Sequence, residues 1–354
     1  MTDLDDTVPI TVLTGFLGAG KTTLLSRLLK QPGLADTAVL INEFGEVGLD
    51  HLLVEAVDDS TVLLSDGCLC CTVRGDLVRA LRDLQDRMDA GQRIRRVIIE
   101  TTGLADPAPV LQTLMGPAMA LGCYRLDGIV TLVDAACGMA TLDRQPEAVK
   151  QAAVADILVL AKSDLAGPDA TASLVARLRR LNPGAPVLQA DNGAVDPRDV
   201  LDLGPFKPTG KIPDVSRWLG DLAHADEPHG QGHHHAHGSN GHGHDPNRHD
   251  AGICSFCLTF DRPLRWSGLA LFLDMLVATR GEQLLRIKGI LNLVGQERPL
   301  VLHGVQHVFH EPKLLPAWPG IDRRSRLVFI VRDLDRAMIE GGLRAFEAAG
   351  ASAG

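Results

Sequence analysis

The sequence predicts an α/β protein with a doubly wound, mostly parallel sheet, followed by a smaller α+β domain. Over about the first 200 residues, short apolar runs alternate with amphipathic stretches, which is typical of a parallel sheet flanked by helices. Proline, glycine and histidine then dominate residues 204–250, and strand patterns resume after them. We therefore expect a first domain at 1–203, a linker at 204–250 and a second domain at 251–354.

The expected elements follow from the spacing of apolar residues. Strands of the first sheet are predicted at Ile10–Leu13, Val39–Ile41, Val62–Leu64, Val97–Ile99, Ile129–Val133, Ile157–Leu160 and Val187–Leu188. Helices between them are predicted at Thr22–Leu29, Asp76–Met88 and Ala170–Leu181. In the second domain we predict strands at Ile253–Phe260, Leu284–Leu293, Pro299–Val308 and Leu327–Val331, and helices at Trp266–Thr279 and Asp335–Ala348.

Composition excludes several classes of protein. The chain has 354 residues, 45 % of them hydrophobic and 22 % charged, as in an average globular protein. The 35 basic and 44 acidic side chains leave a formal charge of -9, which repels phosphate backbones. A general nucleic-acid-binding protein is therefore not expected.

The same composition favours a cytoplasmic protein without a membrane span. The segment Met1–Asp6 is acidic, unlike the basic start of a secretory signal, and no apolar stretch reaches the roughly 18 residues that a bilayer requires. In the cytoplasm the seven cysteines remain thiols. Closely spaced cysteines are therefore interpreted first as a metal or redox site.

The segment Gly15–Thr22 matches the pattern G-x-x-x-x-G-K-[ST] between a predicted strand and a predicted helix. Glycines let backbone N–H groups face an anion, and the amino terminus of the helix adds partial positive charge. Lys21 is expected to reach the β- and γ-phosphates, and the Thr22 hydroxyl to coordinate Mg²⁺. A chance match has odds of about one in a hundred at average composition. We therefore predict a P-loop NTPase, with nucleotide contacts from Gly15, Gly18, Ala19, Gly20, Lys21, Thr22 and Thr23.

A second part of this site follows the strand that ends at Glu100. A carboxylate at a strand tip beside the phosphate loop can hold Mg²⁺ or its water, and Gly103 lets a backbone N–H approach the γ-phosphate. The alternative for Glu100 is that it caps the next turn. Asp106 and Pro107 have the pattern of a helix start, so Asp106 is interpreted as structural.

Lys162 and Asp164 follow the predicted strand Ile157–Leu160. A carboxylate in this position can accept both donors on the Watson–Crick edge of guanine, and a lysine stem can pack along the purine. The tetrapeptide Ala161–Asp164 is a weak signal alone, but its place two strand–helix units after Glu100 strengthens it. We predict that it recognises the base.

Three cysteines, Cys68, Cys70 and Cys71, lie within four residues between a predicted strand and a predicted helix. Three thiolates can converge on one soft cation and leave a coordination position open, which suits a metal that must leave again. A disulfide between the adjacent Cys70 and Cys71 would be strained. The remaining alternative is a set of inert buried thiols.

Together these motifs resemble the CobW-like metallochaperone GTPases, relatives of the nickel accessory GTPases for urease and hydrogenase. The resemblance covers nearly the whole chain and includes a histidine-rich linker before a C-terminal module. The motifs that carry it are Thr14–Thr23, Asn42–Glu46, Gly67–Cys71, Glu100–Pro107 and the pair of Lys162 and Asp164. The resemblance implies GTP hydrolysis coupled to delivery of a metal, most often Zn²⁺, from the cysteines to a client protein.

The resemblance adds further roles and completes the sets of catalytic and metal-binding residues. Glu43 and Glu46 match a switch-like segment whose carboxylates join the metal or the catalytic water, the alternative being a solvated turn. Lys21, Glu43 and Glu100 are then the catalytic set. Cys68, Cys70 and Cys71, with Glu46 and Thr22, form the metal set. The family usually has Asn or Thr where this chain has Ala161, so use of ATP remains open.

Histidines and the remaining cysteines give weaker signals. Nine of the 13 histidines fall between His224 and His249. Their imidazoles can bind Zn²⁺, Ni²⁺ or Co²⁺. The alternative is that this tract is only a soluble spacer. Cys254 and Cys257 lie three apart on a predicted strand, so their side chains point to opposite faces and are expected to pack rather than share an ion. We expect His303, His307 and His310 at the surface, near a client interface.

Binding of nucleotide and binding of metal are expected to be coupled, because both sites lie in the first domain. Nucleotide with Mg²⁺ would order the segments around Glu43 and Gly103, and the cysteine loop would change geometry with them. Two other functions remain open: an ATP-dependent, cobalt-handling protein of cobalamin synthesis, and a metal store without turnover. The protein is expected to be a monomer or a homodimer.

Overall fold

The computed structural model describes residues 7–42, 61–64, 72–116, 123–190, 193–203, 252–310 and 312–352. The predictions on Glu43, Glu46, Cys68, Cys70 and Cys71 lie outside these residues, as does the histidine tract. Within the described ranges, no helix is both long and apolar enough to cross a membrane.

The first sheet has seven parallel strands in the order β3-β2-β4-β1-β5-β6-β7. The strands are β1 (Val8–Gly15), β2 (Thr37–Asn42), β3 (Thr61–Leu64), β4 (Arg96–Glu100), β5 (Tyr124–Asp134), β6 (Ile157–Ala161) and β7 (Val187–Gln189). All seven predicted strands are confirmed, and most extend by one to several residues. Since β1 is central, the loop that follows it lies at the middle of the carboxyl edge of the sheet, where ligands bind in this class of fold.

Helices cover both faces of this sheet. They are α1 (Lys21–Leu29), α2 (Thr72–Asp89), α3 (Ala108–Met115), α4 (Gly138–Arg144), α5 (Pro146–Val154), α6 (Pro168–Leu181) and α7 (Pro197–Val200). Successive residues of β4 alternate between two cores: Val97 and Ile99 pack with α2 and α3, and Ile98 packs with α1. This alternation between two buried faces is why the strands are continuously apolar in sequence.

The second sheet is antiparallel and has the strand order β11-β10-β9-β13-β8, with β12 paired to β10. Its strands are β8 (Ile253–Phe260), β9 (Leu284–Leu291), β10 (Leu300–Val305), β11 (Val308–Phe309), β12 (Lys313–Leu314) and β13 (Ser325–Arg332). Two helices, α8 (Trp266–Arg280) and α9 (Arg336–Ser352), pack on one face. The predicted α/β plus α+β architecture is confirmed, and the exact boundaries at 203 and 251 remain a prediction.

One predicted strand of the second sheet is wrong in detail. Residues 299–308 were expected to form one strand, but β10 ends at Val305 and turns at Gln306, whose φ is +52°. Val308 then begins β11 and pairs back on Val305. A left-handed residue of this kind gives no apolar or glycine signal, so the turn could not be read from periodicity.

The opposite face of the second sheet packs partly against the first domain. Ile253, Leu285 and Ile330 share one core with residues of α5 and α6. The cysteines of β8 follow the predicted alternation, since Cys254 packs on the helix-covered face and Cys257 on the other face. Their expected role as packing residues on opposite faces is confirmed by this geometry.

Candidate nucleotide and metal site

The loop between β1 and α1 has the backbone of an anion-binding turn. Gly15 has a φ of +141°, and a Cβ atom added there would lie 2.4 Å from the carbonyl oxygen of Leu132. Gly20, with a φ of +97°, is the N-cap residue immediately before α1. Both conformations require glycine, because a side chain would clash or be strained. The predicted glycines therefore have a physical reason at these two positions.

Lys21 is the first residue of α1 and is only 8 % exposed. Its Nζ atom donates to the carbonyl oxygen of Gly15 at 2.9 Å and to that of Phe16 at 3.4 Å. The phosphate loop therefore holds the ammonium group of Lys21 at the place where the phosphates are expected to bind. A compact cation in this position is suited to binding β- and γ-phosphates.

Thr22 and Glu100 meet although they lie far apart in sequence. The Thr22 hydroxyl donates to Oε1 of Glu100 at 2.9 Å, and Glu100 is 5 % exposed at the end of β4. A hydroxyl and a carboxylate side by side are the hard oxygen donors that Mg²⁺ prefers. These residues therefore fit a magnesium ion next to the phosphate loop, as the sequence predicts.

The segment after Glu100 lies against the phosphate loop. Thr101 donates its N–H to the Leu13 carbonyl at 2.9 Å, and its hydroxyl donates to that of Thr14 at 2.8 Å. A Cβ atom added at Gly103 would come within 2.6 Å of both N and Cα of Leu17. Gly103 is thus at the contact between the two segments, where the sequence places a γ-phosphate contact.

Gly103→Ala is expected to weaken binding of a non-hydrolysable GTP analogue by about tenfold or more, because the backbone at Leu17 must move to admit the methyl group. Isothermal titration calorimetry of the variant measures this loss. Gly75→Ala is a matched control, since Gly75 is exposed and has no atom within 4 Å of an added Cβ. Equal affinity in the two variants would contradict the prediction.

Lys162 joins the phosphate loop to the segment that the sequence predicts to bind the base. It adopts a left-handed conformation with a φ of +57° after β6. Its Nζ atom donates to the Gly18 carbonyl at 2.7 Å and to Oδ2 of Asp134 at 2.8 Å. Sequence reasoning missed Asp134, although its position at the carboxyl end of β5 was a usable signal. Asp164 lies exposed in a short 3-10 turn, Ser163–Leu165, and Thr23 is also exposed.

Asp106 has the structural role that was expected. Its Oδ1 atom accepts the N–H of Ala108 at the start of α3, at 2.9 Å. Its Oδ2 atom pairs with the ammonium group of Lys150 at 2.6 Å.

His303, His307 and His310 were expected at the surface, and this is wrong for two of the three. His303 and His310 stack with ring centroids 4.6 Å apart and are half-buried, and only His307 is exposed. Burial, the neighbouring His310 and the cation of Arg286 keep the pKa of His303 well below its usual value. Among the residues that the structure describes, no three histidine, cysteine or acidic side chains are grouped as a metal site.

The parallel sheet, the glycine loop before α1 and the carboxylate at the end of β4 define a P-loop NTPase. Residues 9–189 match the family described as CobW/HypB/UreG, nucleotide-binding domain, and residues 253–347 match the cobalamin synthesis protein cobW C-terminal domain. The chain belongs to the CobW/HypB/UreG family.

Similar proteins span nearly the whole chain. It is 32 % identical to the zinc chaperone YjiA of Escherichia coli over 91 % of this chain and 93 % of that protein. It is 31 % identical to the zinc chaperone CobW of Pseudomonas aeruginosa, over 95 % of this chain and 91 % of that one. The crystal structure of Zn(II)-bound YjiA GTPase from E. coli superposes with a TM-score of 0.69 at 27 % identity, covering 96 % and 99 % of the two chains.

Proposed function

We propose that this protein is a GTPase that binds zinc through Cys68, Cys70 and Cys71 and transfers it to a client metalloprotein. The contact of Thr22 with Glu100 beside Lys21 and Gly103 carries the nucleotide part of this proposal. The names of its relatives support the remainder, since those proteins are called zinc chaperones and a GTPase. The reaction takes place in the cytoplasm, where thiols stay reduced.

The nucleotide chemistry follows from the side chains of Lys21, Thr22 and Glu100 and from the main chain of the phosphate loop and of Gly103. Lys21 neutralises charge on the β- and γ-phosphates, and the loop N–H groups orient them. Thr22 and Glu100 would hold Mg²⁺, which would supply further neutralisation of phosphate charge. Gly103 brings a backbone N–H toward the γ-phosphate, so its segment distinguishes triphosphate from diphosphate. Glu43 is proposed to orient the attacking water.

Coupling to zinc is supported by the place of the cysteines in the sequence relative to the strands of the first sheet. They follow β3, whose last residue, Leu64, pairs with Asn42 of β2, and β2 in turn pairs with the end of β4 at Glu100. Two strand spacings of about 4.8 Å separate β3 from β4. The end of β3 therefore lies about 10 Å from Glu100 along one sheet edge, and Cys68 follows Leu64 by four residues in the sequence. The short connection in sequence between β3 and the cysteines supports coupling of the metal site to the γ-phosphate.

Guanine recognition is assigned to Lys162 and Asp164. Lys162 is already held by Gly18 and Asp134, so its stem is in place to pack along a purine. Ala161 is buried and close to Gly20, where it supplies no polar contact to the base. Competition of GTP and ATP for the nucleotide-free protein tests the assignment. Equal affinities for the two nucleotides would contradict the proposed contact between Asp164 and guanine.

The test of zinc transfer is a zinc titration of the protein without nucleotide, with GDP and with a non-hydrolysable GTP analogue. Zinc affinity is expected to differ between the GDP and GTP-analogue forms, because a nucleotide can move the metal only through differential binding. Cys70→Ser is expected to remove tight zinc binding and zinc-dependent stimulation of GTP hydrolysis. Cys137→Ser, which changes an exposed thiol at the start of α4, is the matched control.

The outcomes separate the competing functions. Identical zinc affinity in all three nucleotide states would contradict coupled transfer and leave a metal store beside a GTPase. Tighter binding of Co²⁺ than Zn²⁺ under the same conditions would favour a cobalt-handling protein. Unchanged zinc stoichiometry in Cys70→Ser would remove the cysteine segment from the proposal.

A further inference from the structure

Helix α5 is hydrogen-bonded to the segment that contains Gly103. The Gln151 side chain is completely buried, and its Nε2 atom donates to the carbonyl oxygen of Gly103 at 3.2 Å and to that of Ala105 at 3.0 Å. One amide group therefore uses both of its donors on the main chain of this segment. No feature of the sequence motif predicts this contact, because Gln151 lies 48 residues after Gly103.

The neighbouring residue of α5 makes a second, weaker contact with the same segment. Lys150 pairs at 2.6 Å with Asp106, whose carboxylate accepts the Ala108 N–H at the start of α3. The side chains are 25 % and 33 % exposed, so solvent screens the pair and its contribution to stability is small. The buried amide of Gln151 is the stronger of the two contacts.

Helix α5 is itself held at several other points. The Thr131 hydroxyl of β5 donates to the Gln151 carbonyl at 2.8 Å. At the carboxyl end of α5, the Asn182 amide donates to the carbonyl oxygens of Ala152, Ala153 and Ala155. Arg286 of the second sheet donates to the carbonyl oxygen of Val154 at 3.1 Å. Because the helix is anchored to both sheets, its Gln151 side chain is a fixed support rather than a mobile contact.

We propose that Gln151 is a positioning residue for GTP hydrolysis, which holds the Gly103 segment where it binds the γ-phosphate. The carbonyls of Gly103 and Ala105 bracket Leu104, so fixing both restricts rotation of the backbone at Gly103 and thereby holds this residue, with its N–H, against Leu17 of the phosphate loop. Without the amide, these carbonyls lose their buried donor and the segment turns toward solvent. GDP lacks the γ-phosphate that this segment is proposed to bind, so its affinity is expected not to depend on the segment. The inference rests on the proposed role of Gly103.

The test compares Gln151→Leu with Asn182→Leu in the full-length protein. Both substitutions remove a buried amide that donates to main-chain carbonyls, but only Gln151 touches the Gly103 segment. We expect Gln151→Leu to lower kcat for GTP about tenfold and to lower the ratio of GTP-analogue to GDP affinity by a similar factor. Asn182→Leu is expected to lower the melting temperature and leave that ratio unchanged.

A purely structural role for Gln151 would change the affinities for both nucleotides together, so it would leave the ratio as in the wild type and overturn the proposal. The same ratio change in both variants would also overturn it. Should Gln151→Leu fail to fold, Gln151→Met removes both donors at nearly constant size without a buried charge and is judged by the same ratio. An absence of zinc transfer in the wild type would contradict the proposed function without affecting this measurement.

Discussion

Lys21→Ala is expected to lower kcat/KM for GTP by about a hundred- to a thousand-fold, the largest loss of activity that we predict. The ammonium group is only 8 % exposed and lies within hydrogen-bond distance of the Gly15 and Phe16 carbonyls, inside the phosphate loop. Its removal takes away the cation placed to meet the charge that develops during phosphoryl transfer. Steady-state phosphate release measures the loss.

Lys30→Ala is the control for this experiment, because Lys30 is an exposed lysine at the other end of α1. It is expected to retain wild-type activity. Circular dichroism should show the same helix content in both variants. If Lys21→Ala hydrolysed GTP within a factor of three of the wild type, the phosphate-binding role of this loop would be refuted.

Asp156→Asn is expected to reduce the free energy of unfolding by about 3–5 kcal/mol, the largest stability effect that we predict. The Asp156 carboxylate pairs with Arg286 at 2.6 Å and Lys288 at 2.7 Å, and all three side chains are less than 10 % exposed. It also accepts the Ile129 N–H at 3.0 Å. Without the negative charge, two neighbouring buried cations of β9 would repel each other at the contact between the sheets.

The pH dependence of this effect has a definite sign. Burial by itself raises the pKa of the Asp156 carboxyl, but attraction to Arg286 and Lys288 outweighs burial and keeps it well below its ordinary value. A carboxyl with a lowered pKa stabilises the folded state above its unfolded pKa of about 3.9 and loses that contribution as the pH falls. The stability difference between wild type and Asp156→Asn should therefore stay constant from neutral pH down to about 5 and shrink below about 4.

Urea unfolding followed by circular dichroism at several pH values measures both effects. Asp36→Asn is the matched control, because Asp36 pairs with Arg93 and Arg95 at the surface, with 35 % of its side chain exposed. Screened pairs of this kind contribute less than about 1 kcal/mol. A change of that size in Asp156→Asn would mean that the buried cluster does not stabilise the contact between the sheets.

Most secondary structure could be predicted because it depends on neighbouring residues. The strand Ile253–Phe260 was predicted with its exact bounds, and the helix start at Lys21 within one residue. Both have strong apolar periodicity and a clear turn or glycine signal beside them. The turn at Gln306 was missed, because a left-handed glutamine has no such signal.

The candidate site was predictable to the extent that single motifs contain it. Gly15, Lys21 and Thr22 lie in one continuous stretch, so the sequence alone indicates phosphate binding. Glu100 was assigned from its position at the end of a strand, which the contact with Thr22 supports. Asp134 and Gln151 lie in no motif, and their roles appeared only with the contacts to Lys162 and Gly103.

The amino-acid sequence by itself determined the parallel sheet, the phosphate loop and the family of this protein. Each depends on periodicity or on residues close together in the chain, where local backbone preferences decide the outcome. Only the tertiary structure decided that α5 supports the Gly103 segment and that Asp156 meets Arg286, 130 residues further on. Such contacts depend on how elements pack, because burying a polar group requires a partner that any distant segment can supply.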